Sequence, residues 1–189
     1  LANGEMLNVS NFGEDYNEAF FESNGMARLD QWLESKAATC TRVPATTRLV
    51  SCVARPSKII AIGLNYADHI KESGAPTPAE PVIFMKASSA LCGPNDTIII
   101  PKNSLKTDYE AELAVVIGKK GAYISEQDAK KYIAGYTIIN DYSEREWQLE
   151  RAAGQWDKGK SFDRFAPIGP FLVSAAEIGD PQKLNIWLS

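Results

Sequence analysis

Asp108-Tyr109-Glu110-Ala111-Glu112-Leu113-Ala114-Val115-Val116-Ile117 alternates acids with apolar residues, then runs into a Val- and Ile-rich tail. The spacing predicts a β-strand over residues 109–117, with successive side chains on opposite faces. Asp108, Glu110 and Glu112 then share one face, and Tyr109, Ala111, Leu113, Val115 and Ile117 take the other. Side chains two positions apart stand roughly 7 Å apart along a strand, so two carboxylates so spaced can close on one divalent cation. Three neighbouring acids with no Lys or Arg among them repel one another, a cost that a bound cation relieves. The same acids could equally form a solvated strand face paired with surface lysines. Asn140-Asp141, at the end of a second predicted strand over 136–140, brings a further carboxylate into play.

Outward from this pair, short apolar runs at 58–62, 82–85, 97–100, 168–173 and 184–188 read as strands. Helical spacing covers 15–34, split at Asn24-Gly25, then 67–73, a stretch capped by Ser125 that runs to about 134, and 144–151. Asn3-Gly4 carries a hairpin signal. Residues 74–81 hold Pro76, Pro78 and Pro81 and read as a mobile loop; 152–164 reads as a Gly- and Lys-containing loop. Residues 36–48, rich in Thr, Ala and Pro, read as a linker. A boundary near residue 50 would divide a small N-terminal region, 1–50, from a larger domain, 51–189. Many short strands with interspersed helices predict a mixed, β-rich α+β fold rather than a regular βαβ alternation.

A 189-residue chain with 44% hydrophobic residues can bury a real core. A net charge of −4 and scattered basic residues argue against a nucleic-acid or membrane-surface binder. Three cysteines, none in CxxC spacing, fit a reducing, cytoplasmic setting and supply no zinc cluster or disulfide framework. No run is long enough to span a membrane, and no signal peptide is visible. The chain opens on Leu1, in sequence that reads as mid-domain, and a fragment is expected.

Oxygen ligands favour Mg²⁺, Mn²⁺ or Ca²⁺, and a single His rules out a His-rich site within one chain. On a helix over 67–73, His69 and Glu72 share a face, and a carboxylate beside an imidazole fixes its tautomer for acid–base work. A lone His on a short surface helix more often has no such role. Lys160, in Lys158-Gly159-Lys160-Ser161-Phe162-Asp163, could stabilise a developing oxyanion or could be a solvated loop lysine. Gly159-Lys160-Ser161 imitates a P-loop end without its strand–loop–helix context, so nucleotide binding is rejected. Arg145, Trp147, Gln148 and Gln155 could form a polar and aromatic substrate wall. No GxSxG element is present.

Five motifs, in order, resemble the fumarylacetoacetate hydrolase family: Gly63-Leu64-Asn65-Tyr66-x-x-His69-x-x-Glu72, Pro81-Val82-Ile83-Phe84-Met85-Lys86, Asp108-Tyr109-Glu110-Ala111-Glu112-Leu113, Asn140-Asp141-Tyr142-Ser143-x-Arg145 and Gly159-Lys160-Ser161-Phe162-Asp163. Arg28-Leu29-x-x-Trp32-Leu33 is similar to the family's small N-terminal region. The resemblance implies a β-roll with peripheral helices. It implies Mg²⁺ or Mn²⁺ (Ca²⁺ in a crystal) on Glu110, Glu112 and Asp141. It further implies Lys160 as the active-site lysine, His69 and Glu72 as a lid-helix dyad, and a homodimer. Asn65, Lys86, Arg145, Gln148 and Gln155 are the candidate substrate contacts. Trp147-Gln148, residues 154–160 and Pro167-Ile168-Gly169-Pro170 look like the branch labelled ureidoglycolate lyase or 2,4-diketo-3-deoxyrhamnonate hydrolase. Relatives continue past this C-terminus with a further strand pair and a Gly-Thr-Pro loop, and often carry Thr where Arg164 stands.

The implied reaction is hydrolysis of a 2,4-diketo acid, a small 2-oxo acid substrate, with release of pyruvate. Rivals at the same cation are oxaloacetate decarboxylation and lyase or isomerase chemistry on a related 2-oxo acid. A non-catalytic metal-binding subunit and a sugar-acid dehydratase are the others.

Overall fold

The computed structural model describes residues 5–151 and 154–188. The Asn3-Gly4 turn and the first two residues of the loop read at 152–164 fall outside them. β1 (Met6–Leu7) pairs antiparallel with β2 (Arg42–Val43), so the stretch read as a linker supplies a strand. The helical N-terminal stretch divides into α1 (Glu18–Glu22) and α2 (Gly25–Lys36), because Asn24 adopts the left-handed conformation, φ 59°, that ends one helix and starts the next. Short polar side chains tolerate that region best after glycine. Asn17 caps α1 by accepting from the Phe20 amide.

β3 (Ile59–Gly63) and β4 (Val82–Lys86) form an antiparallel ribbon, with α3 (Ala67–Ser73) in their connection. The main sheet contains β5 (Leu91–Cys92), β7 (Ala111–Ile117), β8 (Ile133–Asn140) and β10 (Ala166–Ser174), in the order β5-β10-β8-β7. In this sheet β5 pairs parallel with β10, and β10–β8 and β8–β7 pair antiparallel. β6 (Thr107–Asp108) pairs with β9 (Ser143–Glu144) in a separate short ribbon. Short helices α4 (Glu126–Ala129), α5 (Asp157–Lys160) and α6 (Ala175–Ile178) complete the fold. The architecture is the expected mixed α+β fold, rich in short strands.

Several local expectations are corrected. The strand read over 109–117 breaks: β6 ends at Asp108, β7 begins at Ala111, and Glu110 occupies the corner. Asn140 stabilises the corner by accepting from the Glu110 amide at 3.1 Å. Residues 97–100 and 184–188 join no sheet. The first are β-branched, but Ile99 and Ile100 are exposed, and the Thr97 carbonyl is taken by Arg164 at 3.1 Å. Propensity without a free sheet edge makes no strand. The helix capped by Ser125 is short, and β8 begins at Ile133. Residues 146–150 are a π-helix, a form found frequently at functional sites. The segment read as a loop over 152–164 contains α5.

The sheet packs Ile139, Phe165, Ala166, Ile168 and Ala90 into one core cluster. A second cluster gathers Phe20, Phe21 and Val53 against Val116, Ala134 and Leu172, so the N-terminal helices lie on the sheet.

Candidate active site

Glu110 leaves the β6–β7 corner and Asp141 leaves the end of β8, joined by a backbone bond from the Asp141 amide to the Glu110 carbonyl at 2.9 Å. Both carboxylates meet one ammonium. Lys160 donates to Glu110 Oε2 at 2.6 Å and to Asp141 Oδ2 at 2.9 Å, and is only 1% exposed. Lys86 takes the other Asp141 oxygen at 2.6 Å and the Tyr142 carbonyl at 3.0 Å. It is 2% exposed, and burial holds its pKa below the usual lysine value, against the pull of Asp141. Arg145 bonds Glu110 at 2.6 Å, Asp108 at 2.8 Å and Gln148 Oε1 at 2.9 Å. The repulsion among the acids is thus met by cations distant in sequence.

Glu112 pairs differently. Burial, opposed by a hydrogen bond from Tyr66 and reinforced by Glu110 and Asp141, pushes its pKa up to about 7. The Tyr66 hydroxyl accepts from the Leu113 amide at 3.2 Å, one residue along β7 from Glu112. Tyr66 lies in a family-like motif, but an aromatic in a turn gives no sequence signal of a polar partner.

Lys160 is placed by α5, which is stitched to β4. Asp157 accepts from the Met85 amide at 3.0 Å, and Ser161 accepts from the Ala87 amide at 2.9 Å. Trp156 packs edge-on against Phe84, 5.4 Å between ring centroids. Glu144, fully buried, accepts from the amides of Lys106 and Trp147 at 3.0 and 2.9 Å and so fixes the start of the π-helix beside Arg145.

The expected residues fall into two groups. Glu110, Asp141, Lys160, Arg145, Gln148 and Lys86 are bonded together, with Glu112 beside them; Lys86 and Gln148 are buried within this network rather than presented to solvent. His69 and Glu72, on α3, and Asn65 and Gln155 are exposed. Among the described residues no hydrogen bond or ion pair joins His69 to Glu72. Nor do three Asp, Glu, His or Cys side chains close into a ready metal cage there. The donor chemistry nonetheless fits a hard cation: an all-carboxylate set, two members of which already share a cation in the lysine ammonium. Loading a metal there requires Lys160 to withdraw from at least one carboxylate.

The chain is 50% identical over 187 residues to a Burkholderia ambifaria protein named "Putative hydrolase", covering 99% of this chain and 65% of that protein. A solved fumarylacetoacetate hydrolase from Exiguobacterium antarcticum is 37% identical, with a TM-score of 0.66, over 77% of this chain and 52% of its own. A 5-carboxymethyl-2-hydroxymuconate delta-isomerase from Mycobacterium smegmatis is 40% identical, with a TM-score of 0.61, over 71% of this chain and 53% of its own. The chain therefore spans between half and two-thirds of the length of these relatives. The family described as fumarylacetoacetate (FAA) hydrolase C-terminal matches residues 58–189, and to that family of hydrolases and isomerases this chain belongs.

Proposed function

We propose that this chain carries the site of a divalent-cation-dependent hydrolase that cleaves a carbon–carbon bond in a 2,4-diketo acid of the acylpyruvate type and releases pyruvate. The observation that supports it most is the sharing of one buried ammonium by Glu110 and Asp141, with Glu112 beside them. Glu110, Glu112 and Asp141 would hold Mg²⁺ or Mn²⁺, which when bound supplies Lewis-acid polarisation of the 2-oxo acid oxygens. Lys160, anchored through α5, offers positive charge to the oxyanion that develops as the C3–C4 bond breaks. His69, with Glu72 one helical turn on, takes the proton of the water that attacks the C4 carbonyl, and returns a proton to C3 of the departing pyruvate. Both side chains are exposed on α3, so the helix must close over the carboxylates. Arg145, fixed by Asp108, Glu110 and Gln148, orients the acid end of the site.

Pyruvate release from an acylpyruvate, followed by a coupled assay with and without Mg²⁺, tests this reading. Glu110→Ala or Asp141→Ala should abolish Mg²⁺-dependent turnover, and His69→Ala should lower it by about 10²–10⁴-fold, the usual size of an acid–base contribution. Turnover that survives EDTA overturns the scheme. A second reading, isomerisation of a related 2-oxo acid, is favoured by the likeness to the delta-isomerase. It predicts a shifted double bond with no pyruvate. A homodimer is part of the proposal, and sedimentation showing only the 20.7 kDa monomer would remove it. No helix among the described residues is long and apolar enough to cross a membrane.

A further inference from the structure

Lys86 and Lys160 hold one carboxylate between them: Lys86 takes Asp141 Oδ1 at 2.6 Å and Lys160 takes Oδ2 at 2.9 Å. Both lysines are buried, and two like charges on one carboxylate repel each other. Lys86 stands in the five-residue strand β4 and is further tied to the Tyr142 carbonyl at 3.0 Å. Lys160 ends α5, which is four residues long, and a helix so short does not stand by itself. Besides the packing of Trp156 on Phe84, a matched pair of side chains holds α5 against β4. The Asp157 carboxylate accepts from the Met85 amide at 3.0 Å, and the Ser161 hydroxyl accepts from the Ala87 amide at 2.9 Å. Alternate residues of a strand present their amides to the same side, and Met85 and Ala87 flank Lys86. Two strand residues span roughly 6.6 Å, and four helical residues climb about 6 Å. The interval from Asp157 to Ser161 therefore fits the interval between the two amides. Lys160 falls inside the one as Lys86 falls inside the other.

We propose that Asp157 and Ser161 are positioning residues that act through the two lysines. By clasping the outer edge of β4 they fix α5 to the strand that carries Lys86, and so fix the separation of the two ammonium groups across Asp141. Neither bonds to Glu110, Glu112 or Asp141 among the described residues; their partners are backbone amides. What each amide needs is an acceptor oxygen. The negative charge of Asp157, which is exposed, is incidental to the clasp. The kinetic consequence rests on the role of Lys160 proposed above: a lysine that meets the developing oxyanion from a fixed place lowers the barrier, and one that wanders does not. The clasp itself does not depend on that role.

The test combines hydrogen exchange at Met85 and Ala87, acetylation of lysines by acetic anhydride followed by mass spectrometry, and kcat against KM for Mg²⁺-dependent pyruvate release from an acylpyruvate. Asp157→Ala takes a charged acceptor from the Met85 amide and should speed its exchange by about tenfold; Ser161→Ala takes a neutral one from Ala87 and should speed exchange there by about fivefold. With both substitutions, Lys160 should acetylate about tenfold faster than in the unsubstituted chain. kcat should then fall by about tenfold or more with KM little changed. Asp157→Asn keeps an acceptor oxygen and should restore the protection of Met85 and Lys160. A merely structural role would speed exchange in β8 to the same extent, and that result overturns the proposal. So does unchanged acetylation of Lys160 in the double variant, or an Asp157→Asn variant as damaged as Asp157→Ala. Release of Lys160 with kcat intact overturns the positioning role. Should the double variant not fold, the single variants and Asp157→Asn still decide. A chain that turns over no acylpyruvate, yet loses protection of Lys160 in the double variant, keeps the clasp and overturns the proposed hydrolysis.

Discussion

Among Glu110, Glu112 and Asp141, Glu112 is the one that forms no salt bridge among the described residues, and burial dominates its titration. Asp141 has two lysines, and Glu110 has Lys160 and Arg145. Burial lifts Glu112 to about 7, well above its ordinary 4.5. A raised carboxyl pKa means that the metal-free fold favours the protonated form. That contribution to stability is complete below 4.5 and is lost as pH rises through about 7. A cation binds the deprotonated form, so below this value it must displace a proton. Mg²⁺ affinity should therefore fall by about tenfold per pH unit on the acid side and level off on the alkaline side. Calorimetric titrations on either side of pH 7, repeated in buffers of different ionisation heat, would count the released proton. An affinity independent of pH would show that Glu112 is not displaced from its proton by the ion.

At the level of elements, what was legible in the sequence was what local chemistry determines. Asn24-Gly25 divides α1 from α2, and the Gly63–Tyr66 turn and the proline-rich stretch bound α3. The acids of the site could be read by residue type and position. Their partners could not, since Lys86, Lys160 and Arg145 reach them across 55, 50 and 37 residues of sequence. The same limit explains residues 97–100, where a β-branched run meets no sheet edge, and the corner at Glu110, where Asn140 from another strand ends the alternation. α5 was hidden by its glycine. A Cβ at Gly159 would fall 2.5 Å from the Glu144 carbonyl oxygen and 2.7 Å from the Gln148 amide nitrogen. Both are backbone atoms that cannot swing away, so the glycine marks close packing of α5 on the π-helix rather than a loop. Gly159→Ala should cost about 1–3 kcal/mol in urea denaturation, the range for overpacking, and should lower turnover by moving Lys160. A neutral result in both would mean that α5 can slide without loss of the site.

Across the whole molecule, the β3–β4 ribbon sets buried chemistry against an unusual exterior. Its strict alternation turns Ala61, Phe84 and Lys86 inward, toward Trp156 and Asp141. The opposite face pairs Ile60 with Met85 and Ile62 with Ile83, four apolar side chains directly across from one another. All four are exposed, Ile60 at 58% and Ile83 at 65%. A polar exterior would satisfy the same period, so nothing in the folding of the ribbon itself asks for isoleucine there. The outer edge of β4 is met by α5 through the Met85 amide, but this apolar face has no cover among the described residues, and an exposed apolar face is a template for association. Ile60→Thr combined with Ile83→Thr keeps the β-branching that suits a strand and removes part of the apolar face. The double variant should bind less of an apolar dye and scatter less light on concentration. Its stability should change by less than about 0.5 kcal/mol per site, as for surface substitutions. Lys86, on the other face, should hold Asp141 as before, leaving Mg²⁺ affinity unaltered. If the variant instead loses several kcal/mol, or if its Mg²⁺ affinity drops, the outward face is part of the packing that supports the site, and the ribbon must be regarded as covered on both sides in solution.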